Sequence, residues 1–410
     1  MKIVRFGELY SIPSGNGLSR PTAVRGEGYR MIGMGELFAN DIITDSEMDR
    51  VKMSKKEQQS FFVESGDLLF ARQSIVAAGA GKCSIVKELT EPTTFESHII
   101  RVRLDKTTCN PWFYFYLFKL PNNPIKAIIN QCAQAGIRGN ELARIKIPLP
   151  ERTVQDKLAS VLKNYDDLIE ANKKRIKCLE QMANNFYKEW FVRNRCPGCS
   201  EYDANNSTLI WTEQRLKEFG ITLDSGSRPA GGIDSSLEEG MPSLGAEAIK
   251  GLGEFDYSSI KLIPYEYFDN MNRGKSTGKD ILVYKDGAYI GKTTLFKNGF
   301  PFESYAVNEH VFLLNAVNHE YQNYLYFTLH LPEYYSLMQN LNRNAAQPGL
   351  SKQDIERIKI HIPPITIIRD FNRIVNPILS EIFLLARNNQ NLQKQQNCLL
   401  PRLMSRKIAV

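Results

Sequence analysis

Gly287-Ala288-Tyr289-Ile290-Gly291-Lys292-Thr293 carries the glycines, lysine and hydroxyl of a phosphate-cradling nucleotide loop, with one residue too few between the glycines. Its counterpart in the first half of the chain, Gly79-Ala80-Gly81-Lys82-Cys83, lacks the hydroxyl that would hold magnesium. Nucleotide hydrolysis is therefore not expected. Cys196-Pro197-Gly198-Cys199 could serve zinc or redox chemistry, but a structural zinc needs four ligands and no second pair follows. The seven cysteines have no disulfide-framework spacing, and reduced thiols are expected. Five histidines show no ligand spacing, and His98 and His310, at matching strand positions, read as satisfied structural residues. No Asn/Asp-Pro-Pro-Tyr/Phe motif marks an amino-methyltransferase, and no Gly-x-Gly-x-x-Gly follows a strand. Acidic residues are scattered, so a metal-dependent nuclease receives no positive signal.

What remains is recognition chemistry. Three polar, glycine-containing loops occur at matching places in the two halves of the chain. The first pair is Ser14-Gly15-Asn16-Gly17-Leu18-Ser19-Arg20-Pro21 and Ser225-Gly226-Ser227-Arg228-Pro229. The second is Arg72-Gln73-Ser74 with Lys82, against Lys285-Asp286-Gly287-Ala288-Tyr289 with Lys292. The third is Gln134-Ala135-Gly136-Ile137-Arg138, against Gln347-Pro348-Gly349-Leu350. Arg, Lys, Gln, Asn and Ser bond phosphates and base edges, and glycine lets backbone approach a phosphate closely. The DNA-contact candidates are Ser14, Asn16, Ser19, Arg20, Arg72, Gln73, Ser74, Lys82, Gln134 and Arg138 in the first copy. In the second they are Ser225, Ser227, Arg228, Lys285, Tyr289, Lys292 and Gln347. Any one such loop could be ordinary polar surface; three that recur point to function.

The elements that hold these loops repeat as well. Ala133-Gln134-Ala135-Gly136 and Ala346-Gln347-Pro348-Gly349 stand 213 positions apart (346 − 133), as do Ile145-Lys146-Ile147 and Ile358-Lys359-Ile360. A period this long means two copies of a whole domain. Strand-like runs, Asp67-Leu68-Leu69-Phe70-Ala71 and Asp280-Ile281-Leu282-Val283-Tyr284 among them, precede aromatic helical stretches at 112–120 and 321–331. Each module therefore reads as α+β.

A helical segment follows each module. Leu162, Tyr165, Ile169, Asn172, Ile176, Leu179, Ala183 and Phe186 alternate spacings of three and four, and Val375, Ile378, Ile382, Leu385, Asn389, Leu392, Gln396 and Leu399 repeat the pattern. We expect these seams to form an antiparallel coiled coil, with Asn172 close to Asn389 and a pseudo-two-fold relation between the repeats. Pro377 is expected in the first turns of the second helix, where it disrupts least. The expected divisions are a first module at 1–150, central helix at 151–195, linker at 196–210, second module at 211–364 and C-terminal helix at 365–408. A formal charge of +7 permits a polyanionic partner without demanding one. Nothing in the chain resembles a membrane span, signal peptide or organelle address, so a cytoplasmic, prokaryotic protein is expected.

In combination these features resemble the specificity subunit of type I restriction–modification systems. The local signatures are Gly66-Asp67-Leu68-Leu69, Gly136 through Ile145-Lys146-Ile147-Pro148-Leu149-Pro150, Phe186-Tyr187-Lys188-Glu189-Trp190-Phe191-Val192-Arg193, and Leu399-Leu400-Pro401-Arg402-Leu403-Met404. Arg195-Cys196-Pro197-Gly198-Cys199 stands where the family often has Arg-Phe-Pro-Gly-Tyr, which makes the cysteine pair look like family variation. After Pro363 the second copy has Ile368 where the first has Gln155, a departure of local packing. The resemblance implies two tandem target-recognition domains and a non-catalytic subunit without cofactors of its own. It further implies double-stranded DNA as partner, with two modification subunits carrying S-adenosylmethionine and two restriction subunits using ATP and magnesium. The alternatives are an orphan homologue acting as a DNA-binding or interaction scaffold, and a metal-dependent nuclease.

Overall fold

Alternation along single strands sorts side chains into separate cores. In Leu68–Ala71 of the first copy every residue is buried, but Leu68 and Phe70 join one apolar cluster while Leu69 and Ala71 join another. That is the period of two of a strand covered on both faces. The computed structural model describes residues 2–74, 79–129, 135–197, 211–234, 236–341 and 349–405. It divides into one unit of residues 1–168 with 393–410 and another of residues 169–392.

The first unit is built on a sheet of β1 (Tyr10–Asn16), β2 (Ile42–Ile43), β3 (Leu68–Ala71), β4 (Cys83–Val86) and β5 (Ile99–Leu104), in the order β1-β5-β3-β4-β2. Only β2 pairs in parallel. Against this sheet lies α1 (Pro111–Phe118), which opens with proline and is capped by Asn110 Oδ1 accepting from the Trp112 N–H at 2.9 Å. Residues Phe113 to Phe118 are all buried, as expected of a helix that is apolar all round. A second helix, α2 (Arg152–Tyr187), starts here. Gln155, fully buried, accepts from the Asn110 N–H and donates to the carbonyls of Thr108 and Pro150.

The second unit repeats the scheme with β6 (Ile221–Ser225), β7 (Lys279–Tyr284), β8 (Thr293–Lys297) and β9 (Val311–Ala316), ordered β6-β9-β7-β8 and antiparallel throughout. Helix α3 (Gln322–Leu329) takes the place of α1. Thr293 opens a strand, whereas a phosphate loop opens a helix. Each unit also carries a small sheet with one parallel and one antiparallel neighbour. Arg25–Ile32 lies between Thr93–Phe95 and Asp49–Val51, and Met241–Leu244 lies between Ala306–Val307 and Leu262–Ile263.

Two fully buried carboxylates, 213 positions apart, anchor equivalent turns. Asp67 accepts from the Glu64 N–H at 2.8 Å, and Asp280 from the Thr277 N–H at 3.0 Å. Burial requires each to be paired. Arg103 grips Asp67 with Nε and Nη2, each at 2.7 Å. Asp280 is held instead by Tyr305, Asn315 and the Thr277 hydroxyl.

Helix α2 has 36 residues and α4 (Ile365–Met404) has 40, about 54 and 60 Å at 1.5 Å per residue. Within the first unit Leu158 and Leu162 share a core with Leu400 and Leu403, and Gln396 donates to the Leu162 carbonyl at 3.1 Å. Within the second, Ile176 and Ala183 share a core with Ile378 and Ile382, and Arg175 pairs with Glu381 at 2.9 Å. Leu162, Ile169, Ile176, Val375, Ile378, Ile382 and Leu385 are buried; Tyr165, Asn172, Leu179, Phe186, Asn389, Leu392 and Leu399 are half-buried. The placement of Pro377 differs from expectation. Because α4 begins directly after Pro363-Pro364, Pro377 lies well inside the helix, its ring on the exposed face. The cost of an interior proline, about 3 kcal/mol in an exposed helix, is offset by burial of Val375, Ile378, Leu379 and Ile382.

Candidate nucleic-acid interface

In the first unit Arg72 is the hub of the loops. Its N–H donates to the His98 carbonyl at 2.8 Å, its carbonyl accepts from the Ile137 N–H at 2.9 Å, and its guanidinium reaches the Ser97 carbonyl at 3.4 Å. Gln73 and Ser74 pair with Gly136 and Ala135, which brings the second and third loops together. The first loop joins them through Leu18, whose carbonyl accepts from the Ser97 N–H at 2.9 Å. Its Ser14 hydroxyl lies where a Cβ on Gly139 would approach within 3.3 Å. Ser14 is half-buried, and Asn16, Ser19 and Arg138 are exposed.

The second unit makes the same hub from Lys285, 213 positions on. The Lys285 N–H donates to the His310 carbonyl at 3.0 Å, and its carbonyl accepts from the Leu350 N–H at 2.9 Å. Asp286 bridges Gly349 as Gln73 bridges Gly136. Lys285 Nζ turns to the Glu309 carbonyl at 3.0 Å and lies over the Phe312 ring.

Glycine is required at one matching point. A Cβ on Gly17 would sit 2.0 Å from the Phe95 carbonyl oxygen, and one on Gly226 would sit 1.7 Å from that of Val307. In both copies the first loop can cross the neighbouring strand only as bare backbone.

Elsewhere the two copies diverge. Arg20 pairs with Glu57 at 2.6 Å. Arg228 bonds Glu309 through Nε and Nη2, and His310 through Nη2. Burial disfavours the Glu309 charge, yet the Arg228 hydrogen bond holds its carboxyl below the ordinary carboxylate value. Tyr289 is 60% exposed, with Lys292 Nζ 6.0 Å from its ring centre. Lys82 is drawn elsewhere, to the Phe38 carbonyl at 2.6 Å and Asp41 at 3.5 Å. Gln134 and Gln347 lie outside the described residues.

Sequence reasoning missed several groups at this surface. His98 is exposed and His310 half-buried, both on turns just ahead of strands and neither in a core. Their recurrence was the available signal. Tyr267, Asn270, Asn272 and Arg273 line a cavity of about 280 Å³ with Ser225 and Ser227, whose Oγ lies 2.8 Å from the Tyr267 hydroxyl. Cys196, expected reduced, is disulfide-bonded. Among the described residues no three His, Cys, Asp or Glu side chains gather in a metal-holding group, and no helix is long and apolar enough to cross a membrane.

The arrangement offers fixed donors and acceptors around a backbone hub and so suits binding. The family model for the type I restriction modification DNA specificity domain matches residues 1–181 and again 211–393. The type I restriction enzyme MjaIX specificity subunit of Methanocaldococcus jannaschii is 27% identical over 315 residues, covering 71% of this chain and 68% of that one. The putative MjaX specificity subunit of the same organism is 22% identical over 388 residues, covering 90% and 86%. The crystal structure of a type I restriction–modification S subunit from M. genitalium shares the fold, with a TM-score of 0.56 over 98% of this chain and 95% of that one at 16% identity.

Proposed function

Because this chain belongs to the type I restriction–modification DNA specificity family, we propose that it reads a bipartite, asymmetric target in duplex DNA. Members of this family recognise DNA and are not catalytic. Residues 1–150 and 211–364 each read one half-site. The helices at 151–195 and 365–408, with 196–210 as linker, pair as an antiparallel coiled coil related by a pseudo-two-fold axis and set the unread spacer. Half-sites read from one face of the duplex lie about 34 Å apart, within reach of helices of this length. Two modification subunits carry S-adenosylmethionine, flip an adenine out of the stack and methylate N6, since that atom is inaccessible within it. Two restriction subunits use ATP and magnesium to cleave unmodified DNA. This chain holds none of those cofactors.

The observation that carries this reading is the hub that recurs at Arg72 and Lys285 with unlike side chains around it. Equal backbone frames place loops at equal positions; unlike loops select unlike bases. Exchanging residues 1–150 for another recognition domain tests it. One half of the methylated target changes and the other half and the gap persist; a change in both halves contradicts the reading.

A further inference from the structure

A histidine in each copy is held through Nδ1 by a side chain from an equivalent position. Gln73 Oε1 lies 3.2 Å from His98 Nδ1, and Asp286 Oδ2 lies 3.2 Å from His310 Nδ1. Gln73 and Asp286 occupy the same place, each facing the glycine of the third loop across a backbone bridge. An amide or carboxylate oxygen only accepts, so Nδ1 carries the proton in both rings.

The other ring nitrogen distinguishes the copies. His98 is exposed, and its Nε2 has no hydrogen-bond partner among the described residues. It stands as a bare acceptor, because the arginine of its first loop is drawn off to Glu57. His310 Nε2 is instead occupied by Arg228 Nη2 at 3.2 Å. Glu309 Oε1 takes Arg228 Nε at 2.7 Å and also Nη2. The guanidinium is thus braced on one edge, while Nη1 has no partner among the described residues and the side chain is 40% exposed. One copy presents an acceptor and the other an oriented donor.

We infer that His98 and Arg228 are the base-reading side chains, His98 accepting from the exocyclic amino group of adenine or cytosine and Arg228 donating to guanine. In the major groove adenine N6 and cytosine N4 are the donors, while guanine offers O6 and N7 as paired acceptors. Arginine has donors alone and cannot read an amino group. Gln73, Asp286 and Glu309 act through the residues they hold and are positioning residues. This inference rests on the reading of both copies as DNA readers.

The test uses the chain assembled with its modification subunits, methylating a library of randomised duplexes, with the selected sequences compared between wild type and variants. Arg228→Lys keeps the charge and loses the braced Nη1 donor. It should lower selectivity about ten- to hundredfold, the worth of one good base contact, at one G·C pair of one half-site. His98→Ala should do the same at a single A·T or C·G pair of the other half-site. Unchanged selectivity in the opposite half shows in each case that the variant is folded and assembled. Wild-type selectivity at every position in either variant, or equal loss in both halves, overturns the assignment while the DNA reading stands. A wild-type complex that methylates without any sequence preference overturns the DNA reading, and the assignment with it.

Discussion

Asn172 Nδ2 donates to Asn389 Oδ1 at 2.8 Å, tying the two long helices together through half-buried amides in largely apolar seams. Such a pair fixes register at a cost in stability. Asn172→Leu leaves the Asn389 amide unpaired and should lower unfolding stability by about 1 kcal/mol. Asn172→Leu with Asn389→Leu should recover the wild-type value or exceed it. Chemical denaturation of both variants and the parent checks this; a double variant weaker than the single one contradicts it.

Asp67 and Arg103 offer a sharper stability test. Asp67 is fully buried and neutralised by two guanidinium hydrogen bonds. Asp67→Ala leaves Arg103 with Glu64 and the Phe62 carbonyl alone and removes the acceptor of the Glu64 N–H, and should cost about 3 kcal/mol, whereas exposed Lys292→Ala should leave thermal unfolding unchanged. The equivalent Asp280→Asn keeps hydrogen-bond capacity toward Tyr305 and Asn315 and strands no cation. It should therefore cost less than Asp67→Ala, as thermal denaturation would show.

Gly226→Ala would place a methyl 1.7 Å from the Val307 carbonyl oxygen. Backbone must then shift, at about 1–3 kcal/mol, and the first loop of the second copy moves with it. We predict a lower unfolding midpoint and relaxed choice at one half-site, with the other half read as before. Binding competition between single-base variants of the target measures this.

Lys292, exposed beside Tyr289 and without an ion pair among the described residues, suits a phosphate. Lys292→Ala should weaken target and non-target duplexes alike, and the slope of log affinity against log salt should fall by about 1. A loss confined to one sequence would assign Lys292 to base reading.

Much of this architecture was legible in the chain. The offset shared by Ala133 and Ala346 exposed the duplication, and runs such as Asp280-Ile281-Leu282-Val283-Tyr284 became central strands because a continuous apolar run must be covered on both faces. The loops around Arg72 and Lys285 were visible as polar insertions at equal spacing. Side-chain destinations were not. Lys82 and Lys292 looked alike, yet Asp41, distant in sequence, captures the first. The cavity beside Arg273 is closed by side chains distant in sequence from Ser225 and Ser227, which no local pattern joins to them. Pro377 misled because helix propensity is local, whereas α4 is sustained by burial along its length.

The central claim is that two unlike copies of one reader select two unlike half-sites. Methylated-base sequencing of a host expressing this chain with its modification subunit tests it most directly. We predict a new N6-methyladenine motif with two different halves separated by a gap of constant length. A palindromic motif, or no new motif while the same modification subunit methylates with another specificity subunit, would contradict the account.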